Sequence, residues 1–290
     1  MTPRAPRLAV LGLGTMGGAM AGNALRSGIP TVVWNRQPRA ADRLRDQGAD
    51  VADSAADAVR QADVAITMVT NAEAVTSIAT EQGMLAALAE GAVWAQMSTI
   101  GIEGTERLAS LVSRERPDLR LVDAPVSGSK VPAEQGKLEI FASGPDDARA
   151  TLAPVFEAIG QRTLWLGPVG FGSRMKLVNN TLLAFTAEGS ANALGLAHRL
   201  GLDTASVIDA FDGGPLVSAW ESAKFARIAK GDYSAEFALD LALKDVRLAL
   251  SAGGAERFTV LAALAEEWRR IADSGLGGED LTVVAQALGR

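Results

Sequence analysis

The sequence predicts an α/β domain with a doubly wound, mostly parallel sheet, followed by an all-α domain. Three observations carry this: a glycine-punctuated first strand-to-helix turn, short apolar runs alternating with amphipathic stretches, and no strand-like run after Gly172. Strands are predicted at Leu8–Leu11, Thr31–Trp34, Val64–Val69, Val93–Met97, Leu119–Asp123, Leu138–Ala142 and Thr163–Leu166. Helical patterns lie between them, at Arg39–Asp46, Ala72–Thr80, Glu103–Arg114 and Ala148–Ile159. The rhythm changes at Gly167-Pro168-Val169-Gly170-Phe171-Gly172. A long proline-free helical pattern then runs from Ser173 to Arg199 and is closed by Gly201. Further helices are predicted at 203–211, 216–229, 236–251, 256–273 and 278–288. The expected division is residues 1–168 and 169–290, joined by the long interdomain helix.

Composition narrows the chemistry. The 290 residues carry 28 basic and 34 acidic side chains, a formal charge of −6. An acidic chain gains nothing from a polyphosphate backbone, so no nucleic-acid partner is expected. Cysteine is absent and there is one histidine. Disulfides, thiolate nucleophiles and Cys- or His-rich metal sites are therefore excluded, and no metal is expected. Hydrophobic residues make up 48% and charged residues 21%, which suffices for a sizeable core. Leu8 to Leu25 is uncharged and follows Arg4 and Arg7, as a signal peptide or membrane span would. Gly12, Gly14, Gly17, Gly18, Gly22, Thr15 and Asn23 interrupt it, so a cytoplasmic protein without a membrane span is expected.

Those glycines have a better use. Leu8–Leu11 runs into Gly12-Leu13-Gly14-Thr15-Met16-Gly17, and a helix follows to about Arg26. In this strand–loop–helix setting the glycines allow a tight turn, close approach to a pyrophosphate and close helix–strand packing. The helix start offers free amides and a positive dipole end to the phosphates. This is the dinucleotide-binding pattern of a Rossmann domain. At the end of the second strand, an NAD site usually has an acidic residue holding the ribose hydroxyls. Here Asn35 and Arg36 stand instead, which favours NADPH over NADH, a solvated surface arginine being the alternative. Val69, Thr70 and Asn71, at the end of the strand Val64–Val69, are counted with the cofactor contacts.

Elimination then points to the proton donor. The only tyrosine, Tyr233, has Phe237 four residues on rather than lysine, and His198 sits late on the long helix beside Arg199. Lys176, in Gly172-Ser173-Arg174-Met175-Lys176-Leu177-Val178-Asn179-Asn180, is the best remaining general acid. It lies within about one turn of the expected helix start, where the dipole and partial burial would lower its pKa. Asn180 follows one turn later on the same face, with Met175, Leu177, Val178, Leu182 and Leu183 around the pair. The alternative is a lysine snorkelling to solvent.

These features together resemble the β-hydroxyacid dehydrogenase family, over almost the whole chain and in order. Gly12 through Asn23 with Trp34-Asn35-Arg36 is similar to that family's cofactor signature. Asp123-Ala124-Pro125-Val126-Ser127-Gly128-Ser129 with Gly136 is similar to its substrate segment, Gly172 to Asn180 to its catalytic segment, and Lys244-Asp245 to its downstream motif. The resemblance implies that Lys176 is general acid in reduction and general base in oxidation, with Asn180 holding the reacting group. It implies that Ser127, Gly128 and Ser129 bind a substrate carboxylate, and that Thr99 touches cofactor or substrate. Lys244 would close over the nicotinamide, with Asp245 and Phe237 lining the pocket. Without the resemblance, a flexible polar turn is the alternative for Ser127–Ser129, and a surface charge pair for Lys244-Asp245.

The run Ser127-Gly128-Ser129-Lys130-Val131-Pro132-Ala133-Glu134 looks closest to the glyoxylate and succinic semialdehyde reductase branch. That branch usually has a second basic residue where Val131 stands. The implied function is NADPH-dependent, reversible reduction of a small carboxylate-bearing aldehyde or ketone, with 3-hydroxyisobutyrate-type chemistry included. An imine reductase and a non-catalytic NADPH-binding scaffold are the alternatives; relatives of both kinds generally lack the lysine kept here as Lys176. A homodimer is implied as well, with the apolar runs Leu261–Leu264 and Leu281–Leu288 as the expected subunit face.

Overall fold

The computed structural model describes residues 5–288, so Arg4 and the outer ends of the two expected domains lie outside the described residues. The chain forms two compact units, Met1–Lys176 and Leu177–Arg290. The first opens with β1 (Leu8–Leu11), α1 (Thr15–Arg26), β2 (Thr31–Trp34), α2 (Asp42–Arg45), β3 (Asp50–Val51) and α3 (Ala55–Val59). It continues with β4 (Val64–Thr67), α4 (Ala72–Ala79), α5 (Met84–Ala87), β5 (Val93–Gln96), α6 (Gly101–Glu115) and β6 (Arg120–Asp123). Then come β7 (Val126–Ser127), α7 (Lys130–Glu134), β8 (Leu138–Ala142), α8 (Arg149–Ile159), β9 (Gly160–Trp165) and the first residues of α9 (Phe171–Arg199).

Six strands pair in the order β3-β2-β1-β4-β5-β6, all parallel. The side chains of β1, β4 and β5 are buried throughout, as helices on both faces require. One layer packs Val10, Ile66 and Val122 against Met20 and Ala24 of α1; the other packs Leu11 and Trp94 against Val59, Val75 and Leu108. Trp94 keeps its indole N–H satisfied on Thr67 Oγ1 at 3.0 Å. The strand order reverses between β1 and β4, so the loops after these strands flank a switch-point crevice, where such sheets bind ligands.

Several elements differ from expectation. The strands at Leu138–Ala142 and Thr163–Leu166 do not extend the main sheet. They form a second, three-stranded sheet, β7-β8-β9, in which β7 is antiparallel and β9 parallel to β8. Two-residue strands such as β3 and β7 are too short to leave a periodic signal. The strand expected to reach Val69 ends at Thr67: the Met68 N–H still bonds to Leu11 O at 2.9 Å, but the Val69 N–H turns to Ser98 Oγ at 2.9 Å.

The second unit continues α9 and adds α10 (Thr204–Phe211), α11 (Ala219–Ala229), α12 (Leu239–Gly253), α13 (Thr259–Ile271) and α14 (Val284–Leu288). Asp203 and Ser218 cap α10 and α11, the latter in a reciprocal capping box with Glu221. The helix expected over 278–288 is split: Asp280 caps a 3-10 turn at Leu281–Val283 before α14 begins. Leu261, Leu264, Leu281 and Val284 pack with Leu239, Leu243 and Trp268 in this unit's own core. These apolar runs therefore are not the subunit face expected of them. Apolar exposure falls instead on Val178, Leu182 and Leu196 of α9, with Leu216 and Val260 elsewhere.

Candidate active site

The loop between β1 and α1 is shaped by its glycines. Gly12 has φ +97°, and a side chain there would overlap the Met68 carbonyl; one at Gly17 would overlap the Gly12 carbonyl. Gly14 is different: a Cβ there would find no heavy atom within 4 Å, so the backbone faces open space. Gly14 caps α1 without a side chain, and the first turn holds no acidic residue. An anionic pyrophosphate fits these exposed amides and the positive end of the helix. Thr15 is exposed and Met16 half-buried at the same turn. Leu13 is buried, and its N–H bonds to Asn35 Oδ1 at 2.9 Å, while Asn35 Nδ2 donates to Gln37 O at 3.0 Å. Asn35 thus braces the glycine loop from the end of β2, and Arg36 beside it is exposed.

Beyond β4, Val69 is half-buried and Thr70 and Asn71 are exposed. Asn71 also has a local task, accepting the Ala74 N–H at 2.9 Å as the cap of α4. Ser98, which sequence reasoning missed, ties two strand ends together. Its Oγ accepts from Val69 N and donates to Thr67 O at 3.3 Å, and its own N–H is held by Gln96 Oε1 at 2.7 Å. Half-buried Thr99 follows directly.

Asp123 closes β6 and is buried. Its Oδ2 accepts from Ser173 N at 2.7 Å and from Ser143 Oγ at 3.3 Å, and its Oδ1 accepts from Ser173 Oγ at 2.8 Å. Ser143 Oγ in turn accepts Gly172 N–H at 2.8 Å. Gly172 has no room for a side chain against the Phe141 and Asp123 carbonyls. The first turn of α9 is therefore clamped to the ends of β6 and β8. Burial pushes the Asp123 carboxyl up to about 6, against the opposing pull of the hydrogen bonds from Ser173 and Ser143.

Helix α9 starts at Phe171, not Ser173, which puts half-buried Lys176 in its second turn. The dipole effect falls off within the first turn, so the expected dipole contribution is weaker than the sequence suggested. The apolar surround is also only partial: Leu177 is buried, whereas Met175, Val178 and Leu182 are exposed.

Beyond β6, Ser127 lies in β7 and is half-buried, Gly128 is exposed and Ser129 precedes α7. Gly128 has φ +126°, and a Cβ there would press on Leu138 Cδ2 at 2.8 Å. This bend requires glycine, so the segment is a fixed turn with two small hydroxyl residues beside it.

In the second unit, Asn180 is buried and its amide is held at both ends. Asn179 Nδ2 donates to its Oδ1 at 2.9 Å, and its Nδ2 donates to Asp245 Oδ2 at 2.5 Å. The other oxygen of buried Asp245 takes Lys244 Nζ at 2.7 Å. Lys244-Asp245 is thus more than a solvated charge pair. Phe237, half-buried, sits just before α12 with its N–H on Asp280 Oδ2 at 3.1 Å. His198 is exposed.

Among the described residues, no helix is long and apolar enough to cross a membrane, and no group of three or more His, Asp or Glu is placed to hold a metal ion. The family model described as the NAD binding domain of 6-phosphogluconate dehydrogenase matches residues 7–167. That described as NAD-binding of NADP-dependent 3-hydroxyisobutyrate dehydrogenase matches residues 170–288. Glyoxylate/succinic semialdehyde reductase 1 of Arabidopsis thaliana is 34% identical, with 96% of each chain covered. A 3-hydroxyisobutyrate dehydrogenase of Pseudomonas aeruginosa is 36% identical over 89% of each chain. The crystal structure of 3-hydroxyisobutyrate dehydrogenase from Salmonella typhimurium superposes with a TM-score of 0.88 at 27% identity, covering 97% of this chain and 99% of that one.

The fold, its glycine loop and these matches define an NAD(P)-dependent dehydrogenase or reductase acting on hydroxyl and carbonyl groups. The chain belongs to the β-hydroxyacid dehydrogenase family.

Proposed function

We propose that the protein is an NADPH-dependent reductase of small carboxylate-bearing aldehydes or ketones, reversible toward the hydroxyacid. Glyoxylate, succinic semialdehyde and methylmalonate semialdehyde are the substrate types. Residues 1–168 are the cofactor-binding domain, and 169–290 are the helical substrate and dimerisation domain of a cytoplasmic homodimer. Val178, Leu182 and Leu196, exposed on α9, support a face that a second copy covers.

The bound nicotinamide supplies hydride to the carbonyl carbon. Lys176 protonates the carbonyl oxygen in reduction and accepts the proton in oxidation. Asn180, its amide fixed by Asn179 and Asp245, holds the reacting group. Ser127, Gly128 and Ser129 take the substrate carboxylate through hydroxyls and backbone N–H groups, with Thr99, Phe237 and Asp245 around it. Gly12 through Gly17 receive the pyrophosphate, Asn35 and Arg36 the adenosine ribose and its phosphate. Val69, Thr70, Asn71, Thr99 and Lys244 complete the cofactor contacts.

One observation supports this reading most. The anchor of the lysine-bearing helix, Asp123, ends β6 and stands four residues before Ser127 of β7. A lysine-bearing helix turn pinned to buried Asp123, a few residues before the small-residue turn, supports the preorganisation that carbonyl reduction needs.

The test is consumption of NADPH and of NADH by the purified protein with glyoxylate, succinic semialdehyde, methylmalonate semialdehyde and a cyclic imine. Turnover with a carboxylated aldehyde, faster with NADPH, is the expected result. Turnover of the imine alone overturns the substrate assignment; NADPH binding without turnover on any of them makes the protein a scaffold.

A further inference from the structure

Asn23 is a buried polar residue on an otherwise apolar face of α1, and the cofactor contacts leave it without a task. Its Nδ2 donates to the carbonyl of Ala133 at 2.6 Å, across 110 residues of sequence. Its Oδ1 accepts from Arg26 Nη2, and the same nitrogen reaches the Glu134 carbonyl at 3.0 Å. Ala133 and Glu134 are the last two residues of α7, which starts immediately after the Ser127-Gly128-Ser129 turn. Gly136, just beyond, packs so closely that a Cβ would lie 2.8 Å from the Ala158 carbonyl and 3.7 Å from the Asn23 amide.

A helix of five residues does not hold itself in water, because nucleation costs more than one turn of hydrogen bonds returns. Its position has to come from what it is fastened to. The C-terminal carbonyls of α7 are among the groups a helix leaves unsatisfied, and here α1 supplies donors to two of them. The helix that receives the cofactor phosphates at one end thus carries, two to three turns later, the fastening of the substrate turn.

We propose that Asn23 and Arg26 are positioning residues that mount the substrate turn Ser127–Ser129 on the cofactor helix. The proposal rests on the reductase reading above for its kinetic consequence, and on the contacts alone for its structural one. Losing the mount loosens α7 and with it the carboxylate turn, while the phosphate-binding end of α1 stays intact.

The experiment pairs two readouts on Asn23→Ala and Arg26→Met. The second variant changes an exposed side chain for another good helix former and keeps the test alive if the first folds poorly. Hydrogen exchange should speed up about tenfold in residues 130–137 and stay unchanged across β1, β4 and β5. KM for the carboxylated carbonyl should rise about tenfold in Asn23→Ala and about threefold in Arg26→Met, with kcat and the NADPH Kd within about twofold. Unchanged exchange in 130–137 overturns the mount. Faster exchange with an unchanged KM overturns its role in placing substrate. Faster exchange in a protein whose wild type reduces no carboxylated carbonyl upholds the mount and overturns the reductase reading instead.

Discussion

Ser173 gives both its backbone N–H and its hydroxyl to Asp123, at 2.7 and 2.8 Å, across 50 residues of sequence. One carboxylate therefore does the work of a helix cap from a neighbouring strand end, and Lys176 follows three residues later. Because the carboxylate is buried, the same contact makes the fold sensitive to pH.

In the unfolded chain the Asp123 carboxyl has its ordinary pKa of 3.8, and the fold raises it to about 6. The folded state holds the proton more tightly, so this contribution to stability is fully present below the unfolded value. It is lost as pH rises through about 6. At about 1.4 kcal/mol per pKa unit, wild type should lose about 2 kcal/mol relative to Asp123→Asn between pH 4 and pH 7. Urea unfolding of both proteins across that range checks it; parallel curves would mean that Asp123 titrates as it does in water.

Gly14 and Gly12 should behave as opposites. Gly14 has φ −67° and open space where a Cβ would go, so Gly14→Ala should leave stability within about 0.5 kcal/mol. The methyl group would occupy the approach of the pyrophosphate and raise the NADPH Kd about tenfold or more. Gly12→Ala strikes the Met68 carbonyl and should lose the fold before the cofactor can be tested. Fluorescence titration with NADPH and thermal melts separate the two.

Lys176→Ala should lower kcat about 100-fold or more and kcat/KM by a similar factor. Cofactor affinity should stay within about twofold, because the glycine loop and Asn35 lie on other elements. A variant with near wild-type kcat would remove Lys176 from the proton transfer.

Lys224, only 3% exposed, bonds Asp280 at 3.1 Å through both oxygens and Glu236 at 2.8 Å. Asp280 also takes the N–H groups of Glu236 and Phe237. Burial pushes the Asp280 carboxyl up, but Lys224 and the hydrogen bonds from Phe237 and Thr282 outweigh it and hold it below its ordinary value. Among the described residues, Lys224→Met leaves Asp280 with only Arg227, at 3.8 Å, as counter-charge and should cost about 3 kcal/mol in urea unfolding. Loosening of the Phe237 segment should accompany it, visible as faster exchange there.

The parts legible in the sequence are those written in contiguous residues. Gly12 to Gly17 and the apolar β1 announce their surroundings because strand, loop and helix follow one another within about thirty residues. What stayed hidden depends on residues far apart: Ser98 holding Val69, Asp123 holding Ser173, Asn23 holding Ala133. Each of these side chains is small and polar, a composition that reads locally as a turn or a cap. The apolar runs near Leu261 and Leu281 are ambiguous in sequence for a different reason. Periodicity shows that a helix buries a face, but not whether its own core or a second copy covers it.

The strand order has a consequence for solubility during folding. A parallel sheet with bare outer strands invites another chain to pair with it. Here one outer strand, β3, is two residues long and begins with exposed Asp50. The other, β6, exchanges two backbone hydrogen bonds with Ser143 at its end, 2.9 and 2.8 Å. The longer outer strand β9 carries exposed Gln161 and Arg162, and the Arg149 guanidinium covers its Trp165 ring at 4.8 Å. Among the described residues these margins offer a foreign chain little flat apolar strand to pair with, which disfavours edge-to-edge association of intact copies.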